Sequence, residues 1–421
     1  MAPRILIFED AGVENLKPLA WTRPVWGLRS GIVTLARKIT GAYEGAEVLF
    51  HTRSYLAEAV REEGGVRVVS TAAEARAALS SPVLLVNGRI LADAGLAARV
   101  PLEGPDELLR SGDDVVAVRL ADGAKAAAGL AGDMLDVSAW PRLPIRQVDV
   151  PVIRWPWDLV AANAAEIASD FRRFATPGQV KGDVHAKAIT EGRENMHIAE
   201  GAAVGPGAIL LAEKGPIFIG PGATVMAGAV IEGPAAIGAK ATVKMLARLY
   251  EGTTVGPLCK VGGEVEASIL HACSNKQHDG FLGHSYVGAW CNLGAGTNTS
   301  DLKNNYAPVR VSIEGREVDS GQLFVGLTMG DHSKAAVSTM FNTGTVAGVG
   351  CNIFGADFPP KDIPSFTWGG HGGLVEYDFD KFCRTAELVM ARREQRLTPA
   401  LRAMLEHVFH QTRARRRSVI G

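Results

Sequence analysis

This chain of 421 residues contains few cysteines, has no long apolar runs, and carries no excess of one charge sign. The five cysteines lie far apart and form no C-x-x-C pair, which excludes a disulfide framework and the usual thiolate zinc site. No run of about 18 apolar residues is present, so no membrane-spanning helix is predicted. The first residues lack the apolar core and cleavage site of a signal peptide, and a cytoplasmic protein is therefore expected.

The charges nearly cancel, because the chain has 44 Lys and Arg residues and 45 Asp and Glu residues, which gives a net charge of −1. This balance provides no general attraction to nucleic acid or to an anionic membrane, and neither is a predicted partner. A hydrophobic content of 47% with 21% charged residues argues against extensive disorder. At about 150 residues per domain, the chain has room for two or three domains.

The first predicted domain, residues 1–178, alternates apolar runs with alanine-rich segments. This alternation is typical of an α/β domain with a doubly wound, Rossmann-like sheet. Buried parallel strands are predicted at Ile5–Phe8, Glu47–Phe50, Val83–Val86 and Asp114–Val118, and covering helices at Thr71–Leu79 and Val160–Phe171.

The second predicted domain, residues 190–373, is rich in glycine: 30 of the 48 glycines lie between positions 201 and 373. One aliphatic residue recurs every six positions without a miss at Ile219, Val225, Ile231, Ile237, Val243, Leu249, Val255 and Val261. A period of six is typical of a parallel β-helix, in which the aliphatic residues of successive coils stack inward. The repeat lapses between Val261 and Val287, where polar loops are expected.

The last predicted segment, residues 374–421, returns to a helical pattern and is expected to be a helical tail. Apolar residues with helical spacing are Ala386, Leu388, Val389, Leu397, Leu401, Met404, Leu405 and Val408. The arginine-rich end of this tail is expected to be solvated.

Two motifs lie in and just after the lapse of the repeat. The first is Lys276–Gly283 (KQHDGFLG) and the second is Asn292–Thr297 (NLGAGT). Both resemble the acetyltransferase half of the bifunctional N-acetylglucosamine-1-phosphate uridyltransferase/glucosamine-1-phosphate acetyltransferase family. Leu19–Gly31 and Pro364–Gly370 make the chain similar to a divergent bacterial branch of that family, described as sugar nucleotidyltransferases with a hexapeptide-repeat acyltransferase domain.

The resemblance implies a left-handed β-helix, a homotrimer, and acetyl-CoA bound near a subunit interface. It implies N-acetylation of an amino-sugar 1-phosphate with His278 as the catalytic base, since an imidazole with a pKa near ~6.5 accepts a proton at neutral pH. By the same resemblance Asn292 binds the amino sugar, and the main-chain N–H of Ala295 lies near the acetyl-CoA thioester. Arg248 matches a family arginine that holds the sugar phosphate.

Some positions depart from the family pattern. Phe281 stands where the family has a tyrosine and Asp301 where it has an asparagine, and both are still expected at the substrate site. An upstream family lysine is replaced by Glu264 and Glu266, which repel a sugar phosphate unless another cation intervenes. Lys276 is the candidate for that cation.

Nucleotidyl transfer needs a glycine-rich phosphate loop, a cation and carboxylates for Mg²⁺, and the first domain supplies these only in part. The loop after the first strand is acidic with a single glycine, and Arg89 stands where the resemblance places a magnesium-binding aspartate. Asp93 is a weak substitute, and Mg²⁺ is expected as a cofactor if this domain is active. The residues expected to contact nucleotide or sugar phosphate are Arg23, Arg29, Asn87, Asp158 and Asn163.

These features predict a transferase of sugar-nucleotide biosynthesis for the cell envelope. It would use a sugar phosphate, a nucleotide and acetyl-CoA, and give UDP-N-acetylglucosamine or a similar product. One alternative is an acyltransferase whose nucleotide-sugar-binding domain is catalytically dead, and another is a non-catalytic trimeric scaffold or nucleotide sensor. A third is a zinc-dependent hydro-lyase of the β-helix carbonic anhydrase type, with zinc ligands among His271, His278, His284 and His332.

Overall fold

A computed structural model describes residues 4–79 and 81–420. The N-terminal domain has a mixed sheet with strands in the order β3-β2-β1-β4-β6-β5-β7. Its strands are β1 (Arg4–Phe8), β2 (Glu47–His51), β3 (Arg67–Val69), β4 (Val83–Asn87), β5 (Glu107–Ser111), β6 (Asp114–Leu120) and β7 (Ile145–Gln147). Its helices are α1 (Leu35–Thr40), α2 (Ser54–Glu63), α3 (Ala72–Ala78), α4 (Leu96–Arg99), α5 (Ala126–Gly129) and α6 (Pro156–Phe174).

The predicted α/β class of this domain is confirmed, with one correction to its strands. The strand predicted as parallel at Asp114–Val118 is β6, and it runs antiparallel to both β4 and β5. Ser111 pairs with Asp114 across a two-residue turn in which Gly112 has a φ of +59°. Two neighbouring strands joined by so short a turn must run in opposite directions.

The predicted parallel β-helix is also confirmed. Three strands form each coil, and Val225 pairs with Val243, which pairs with Val261, so one coil spans three hexads. The strands of the early coils are β8 (Asp183–Val184), β9 (Ile189–Glu191), β10 (Met196–Ile198), β11 (Ala203–Val204), β12 (Ile209–Leu211), β13 (Ile217–Ile219), β14 (Thr224–Val225), β15 (Val230–Glu232), β16 (Ala235–Ile237), β17 (Thr242–Val243), β18 (Arg248–Leu249), β19 (Thr253–Val255) and β20 (Lys260–Val261).

The later coils continue the same three faces. Their strands are β21 (Glu264–Glu266), β22 (Ile269–Ala272), β23 (Asn275–Lys276), β24 (Phe281–Gly283), β25 (Tyr286–Ala289), β26 (Asn292–Leu293), β27 (Asn298–Thr299), β28 (Arg310–Ile313), β29 (Arg316–Asp319), β30 (Thr328–Met329), β31 (Lys334–Ala335), β32 (Met340–Phe341), β33 (Val346–Ala347), β34 (Asn352–Ile353), β35 (Asp362–Ile363), β36 (Thr367–Gly370) and β37 (Gly373–Glu376). Of these, β28 and β29 form an antiparallel hairpin outside the coils.

The polar loops expected after Val261 are not a break in the β-helix, and that prediction is wrong. The coils continue through this segment, with Val265, Leu270, Lys276 and Leu282 at the inward, fully buried positions. The spacing between these residues falls from six to four or five at two corners, which hides the repeat from a strict six-residue pattern. Lys276 pairs with Val261 in the coil beneath, so a lysine occupies an aliphatic position of the core.

The C-terminal segment folds into α7 (Phe379–Ala391), α8 (Pro399–Gln411) and α9 (Arg413–Ile420). Met404, Leu405 and Val408 of α8 join a core cluster that also contains Ile5 and Ile7 of the N-terminal domain. The helical prediction is therefore confirmed, and the helices pack against the rest of the chain.

The expectation of a solvated arginine end is wrong for Arg416, which is fully buried. Its guanidinium lies 4.2 Å from the ring centroid of Phe409, and its Nε donates to Glu376 Oε2 at 2.9 Å. Cation–π contact and an ion pair together allow the burial of this charge. No helix within the described ranges is both long and apolar enough to cross a bilayer.

Candidate functional site

His278 lies at one corner of the β-helix, in the turn between β23 and β24. The equivalent turns of neighbouring coils form an open groove of about 450 Å³ along this corner. We call this the His278 groove, and its lining includes Lys244, Gly262, Gln277, His278, Ala295 and Gly296. The imidazole is solvent-exposed, so a substrate has direct access to it.

Lys276 supports the His278 turn from inside the coil. Its Nζ donates to the carbonyl of His278 at 2.9 Å and to the carbonyl of Gly262 at 3.1 Å. The side chain is 1% exposed, and burial lowers the pKa of Lys276 to about 8. The ammonium therefore points at main-chain carbonyls inside the β-helix and not at the groove, which leaves its expected role as the phosphate-binding cation without support.

The turn that follows His278 packs tightly on the next coil. Gly280 has a φ of +120°, and a Cβ there would lie 2.0 Å from the carbonyl oxygen of Thr297, so only glycine is accommodated. Gly296 N–H donates to the carbonyl of Asp279 at 2.9 Å. Across residues 4–79 and 81–420, the N–H of Ala295 finds no hydrogen-bond acceptor. This groove-lining amide is therefore available to a ligand.

Arg248 and Phe281 lie on one β-helix face beside the His278 corner. Arg248 pairs in register with Glu264, and Glu264 with Phe281, so the three side chains form an outward row on neighbouring strands. Arg248 Nη2 lies 3.2 Å from Glu264 Oε2; the arginine side chain is about half exposed and the glutamate about one third exposed. A sugar phosphate would have to compete with this exposed, weak ion pair for the guanidinium.

Asn292 lies on the other face that meets at the same corner. It pairs in register with Asn275 and Lys334 on neighbouring coils, and it lines a cavity that is separate from the His278 groove. Gln277 lines both spaces. Within one chain, Asn292 and Arg248 thus flank His278 from two sides and do not share one pocket.

Asp301 lies at the opposite edge of the Phe281 face, where its Oδ2 is 2.8 Å from Nδ1 of His284. The His284 ring stacks on Phe324 at a centroid distance of 4.9 Å. Both side chains are mostly buried. A carboxylate that orients an imidazole in this way is typical of a general base. His284, which the sequence suggested only as a possible zinc ligand, is therefore a second acid–base candidate.

The sheet edge of the N-terminal domain where a nucleotide is expected is filled by ion pairs between the domain's own side chains. Arg89 Nε and Nη2 each donate to Asp10 at 2.7 Å, and Nη2 also donates to Asp114 at 3.1 Å. Asn87 donates to the same Asp10 at 2.8 Å. A Cβ on Gly12 would lie 2.3 Å from Arg89 Cζ, so the guanidinium fills the space over the loop after β1.

This arrangement does not suit Mg²⁺. The two carboxylates that would ligate the metal are both bound to a guanidinium that is 3% exposed. Asp93, the weak metal candidate, accepts from Arg99 Nη2 at 2.6 Å and from Gly95 N–H at 2.8 Å. Each of these three carboxylates therefore already has an arginine partner, which a metal ion would have to displace.

Three of the residues expected at the nucleotide instead join the two domains or stabilise their own loops. The Arg23 guanidinium forms an ion pair with Asp331 of the β-helix. Arg29 donates its main-chain N–H to the Tyr286 hydroxyl at 3.0 Å, and burial lowers the pKa of its guanidinium. Asn163 is fully buried and donates to the Gly252 carbonyl at 2.6 Å.

The remaining residue of this set, Asp158, caps a helix. Its Oδ2 accepts the main-chain N–H groups of Arg154 at 2.8 Å and Trp155 at 3.0 Å, just before α6 begins. Burial raises its pKa.

The four histidines of the zinc alternative do not converge within this chain. In the part of the chain that the structure describes, no three His, Cys, Asp or Glu side chains are placed to hold a metal ion. His271 contacts the Tyr286 hydroxyl at 3.1 Å and His332 stacks on Trp290. Each of these rings has a local partner of its own.

Comparison with known proteins begins with the first domain. A sequence profile of the family described as "Sugar nucleotidyl transferase" matches residues 5–177. This match spans the N-terminal domain. The chain is also similar to the bifunctional protein GlmU of Methanocaldococcus jannaschii, at 36% identity over 120 residues, or 28% of each chain.

Two further relatives are also bifunctional proteins that the chain matches over only part of their length. GlmU of Acidithiobacillus ferrooxidans is 33% identical over 141 residues, which cover 32% of this chain and 30% of the relative. The bifunctional sugar-1-phosphate nucleotidylyltransferase/acetyltransferase of Sulfurisphaera tokodaii is 26% identical over 106 residues, covering 25% of this chain and 26% of the relative. The predicted resemblance to a divergent branch of this bifunctional family is confirmed. The chain matches only about a third or less of the length of each of these relatives.

The sequence missed two groups that the fold brings near the site. Arg392 and Arg393 line, together with Lys334, the cavity that contains Asn292. The arginines come from the end of α7, more than 90 residues further along the chain than Asn292. An arginine pair at the end of an amphipathic helix was visible in the sequence, but its contact with the β-helix was not.

Proposed function

We propose that this protein is a transferase of sugar-nucleotide biosynthesis whose β-helix transfers the acetyl group of acetyl-CoA to an amino-sugar 1-phosphate. His278 accepts a proton from the sugar amine as the nitrogen attacks the thioester carbon. The C–N bond forms, the C–S bond breaks, and coenzyme A leaves as the thiol after it takes up a proton. The exposed position of His278 in an open groove is the observation that carries this proposal.

The unpaired N–H of Ala295 supports this chemistry. Ala295 lines the same groove as His278, one coil further along the β-helix. As the amine attacks, negative charge develops on the thioester oxygen, and a fixed main-chain donor stabilises that charge. Acetyl-CoA is the cofactor that this arrangement of base and donor would serve.

A homotrimer is part of the proposal. Met245 and Leu246, beside the groove, are 59% and 72% exposed, and Val337 on a later coil is 68% exposed. Apolar side chains of this size at the β-helix corner would be covered if a second copy packed along the groove. Such packing would bring groups of a neighbouring subunit to His278, which the single chain leaves open on one side.

The test of the acetyltransferase is thiol release from acetyl-CoA with glucosamine 1-phosphate. We expect His278→Ala to lower kcat by about 10²–10⁴, the range for loss of a general base. His371→Ala is the matched control, because its ring is 63% exposed and remote from the groove in sequence. An unchanged rate in His278→Ala would contradict the assignment.

A panel of amino sugars belongs in the same assay. Phe281 lacks a hydroxyl, and Glu264 already occupies the Arg248 guanidinium, so an acceptor other than glucosamine 1-phosphate is consistent with these residues. If His278→Ala is active and His284→Ala is not, the base is the His284–Asp301 pair. If the wild-type protein releases no thiol with any acceptor, the non-catalytic alternative is favoured.

For the N-terminal domain we propose nucleotidyl transfer to the sugar 1-phosphate, as its relatives' names describe for them. Arg89 is already bound by Asp10 and Asp114, so no phosphate contact is assigned to it, and no step is assigned to Mg²⁺. The test is formation of a sugar nucleotide from UTP and N-acetylglucosamine 1-phosphate, with and without Mg²⁺. Acetyl transfer without sugar-nucleotide formation would favour a domain that binds a nucleotide sugar without turnover.

A further inference from the structure

A second cavity of about 280 Å³ lies between the outer face of the β-helix and the end of α7. We call it the basic cavity, and define it by Lys260, Asn275, Asn292, Lys334, Arg392 and Arg393. Four of these six side chains are cations and the other two are amides. Carboxylates are missing from its lining, in contrast to the N-terminal sheet edge.

One wall of this cavity is formed by residues that the register of the β-helix strands brings into line. Lys260 pairs with Asn275, Asn275 with Asn292, and Asn292 with Lys334, so the four residues form one outward row on successive coils. Neighbouring strands lie about 4.8 Å apart, so the row presents donors at a regular spacing over three steps. The rigid coils therefore hold these donors in place before any ligand arrives.

Helix α7 supplies the opposite wall. Arg392 and Arg393 follow its last residue, and Arg393 Nη2 donates to Asn275 Oδ1 at 3.2 Å. This hydrogen bond anchors one guanidinium against the β-helix row and leaves its other N–H groups free of carboxylates. Two guanidiniums thus face two ammonium groups across one small space.

The four cations are not neutralised by the fold. None of them has an acidic side chain within ion-pair distance in residues 4–79 and 81–420. Lys334 Nζ donates to the main-chain carbonyl of His332 at 2.8 Å. Burial lowers the pKa of Lys334, and burial followed by the charge of Arg393 lowers that of Lys260. Crowded like charges oppose folding, so their presence here calls for an anion.

We propose that the basic cavity binds the diphosphate group of a phosphate ester. Guanidinium forks bind two phosphate oxygens at once, and lysine ammonium groups add point charge. The volume is at the small end for ligand sites, which suits a diphosphate with the rest of the ligand extending past Gln277 or Trp290. A nucleoside diphosphate and coenzyme A both carry this group and are the two sources to be distinguished.

The experiment is isothermal titration calorimetry of the full chain with inorganic pyrophosphate at low ionic strength. We expect one site per chain, with a Kd at least about tenfold weaker in the Arg392→Gln/Arg393→Gln variant, since each fork makes charge-assisted hydrogen bonds. Arg384→Gln, exposed on the same helix, is the matched control and is expected to bind as the wild type does. Binding should also weaken as salt is raised.

The proposal is overturned if wild-type protein takes up no pyrophosphate at millimolar concentration, or if the double variant binds it as tightly as the wild type. Lys260→Gln, which leaves α7 intact, provides the same comparison if the double variant unfolds. UDP and coenzyme A are titrated next, and the tighter of the two identifies the source. Because no acetyl transfer is measured, this proposal and the role of His278 can fail independently.

Discussion

The N-terminal sheet edge and the outer face of the β-helix both gather positive charge, but they treat it differently. At the sheet edge Arg89 is buried and bound by Asp10 and Asp114. On the β-helix, Lys260 and Lys334 have no acidic partner among the described residues. Charge that the fold neutralises itself specifies a conformation, whereas charge that it leaves over is available to a ligand.

The strongest test of this contrast is Arg89→Met. The substitution leaves Asp10 and Asp114 partly buried without their shared cation, and we expect a loss of about 3–5 kcal/mol of unfolding free energy. Urea denaturation measures the effect. The matched control is Arg154→Met, because Arg154 pairs with the same Asp114 but is 58% exposed, and its loss should cost at most about 1 kcal/mol. Equal effects of the two variants would remove the contrast.

A smaller effect on stability is expected at His332, a residue of the β-helix. This ring is 7% exposed, and burial, followed by the nearby charges of Lys334 and Arg23, lowers its pKa to about 3 from an ordinary value of 6.5. The unfolded chain therefore binds the proton between pH 6.5 and 3 while the folded chain does not. Stability from this group is complete above pH 6.5 and is lost as the pH falls toward 3.

The variant His332→Asn should flatten that acid loss, by up to about 1.4 kcal/mol per pH unit. Asparagine suits the position because its φ is +60°, a region that asparagine tolerates better than most residues. Unfolding free energies at pH 7 and pH 5 for both proteins give the slope. A parallel pair of pH profiles would show that His332 takes up its proton in the folded state as readily as in the unfolded one.

The smallest expected change is in the basic cavity. Lys260→Met removes one of four crowded cations and keeps most of the apolar stem, so stability should stay the same or rise by up to about 0.5 kcal/mol. Thermal unfolding at low salt measures it against Lys187→Met, an exposed site on an early coil. A clear destabilisation by Lys260→Met would indicate that the fold itself requires this cation.

How much the sequence predicts depends on how far apart the interacting residues lie. The β-helix follows from its six-residue repeat alone, since Val225, Val243 and Val261 stack on one another through purely local spacing. The inward position of Lys276 was not predicted, because from the sequence alone an inward lysine cannot be distinguished from a loop residue. Its main-chain carbonyl partners are visible only in the structure.

The long-range contacts of Arg89 and Arg393 were not predicted for a different reason. Arg89 meets Asp10 across 79 residues and Arg393 meets Asn275 across 118. No period or short motif encodes such pairs, since only the closed fold brings them together. The six residues expected to bind nucleotide or metal follow from residue type and position in the sequence. Their actual partners depend on the sheet order and on the packing of the β-helix.

The place of α8 has a consequence for the making of the protein. Its apolar residues cover the face of α2, and Leu405 and Val408 complete the same core as Ile5 and Ile7. More than 330 residues separate the end of α2 from the start of α8, which at about 5–20 residues per second is roughly 20–70 s of translation. During that interval the apolar face of the first domain that α8 later covers is exposed to solvent. Chaperones can bind this face until the C-terminal helices pack against it.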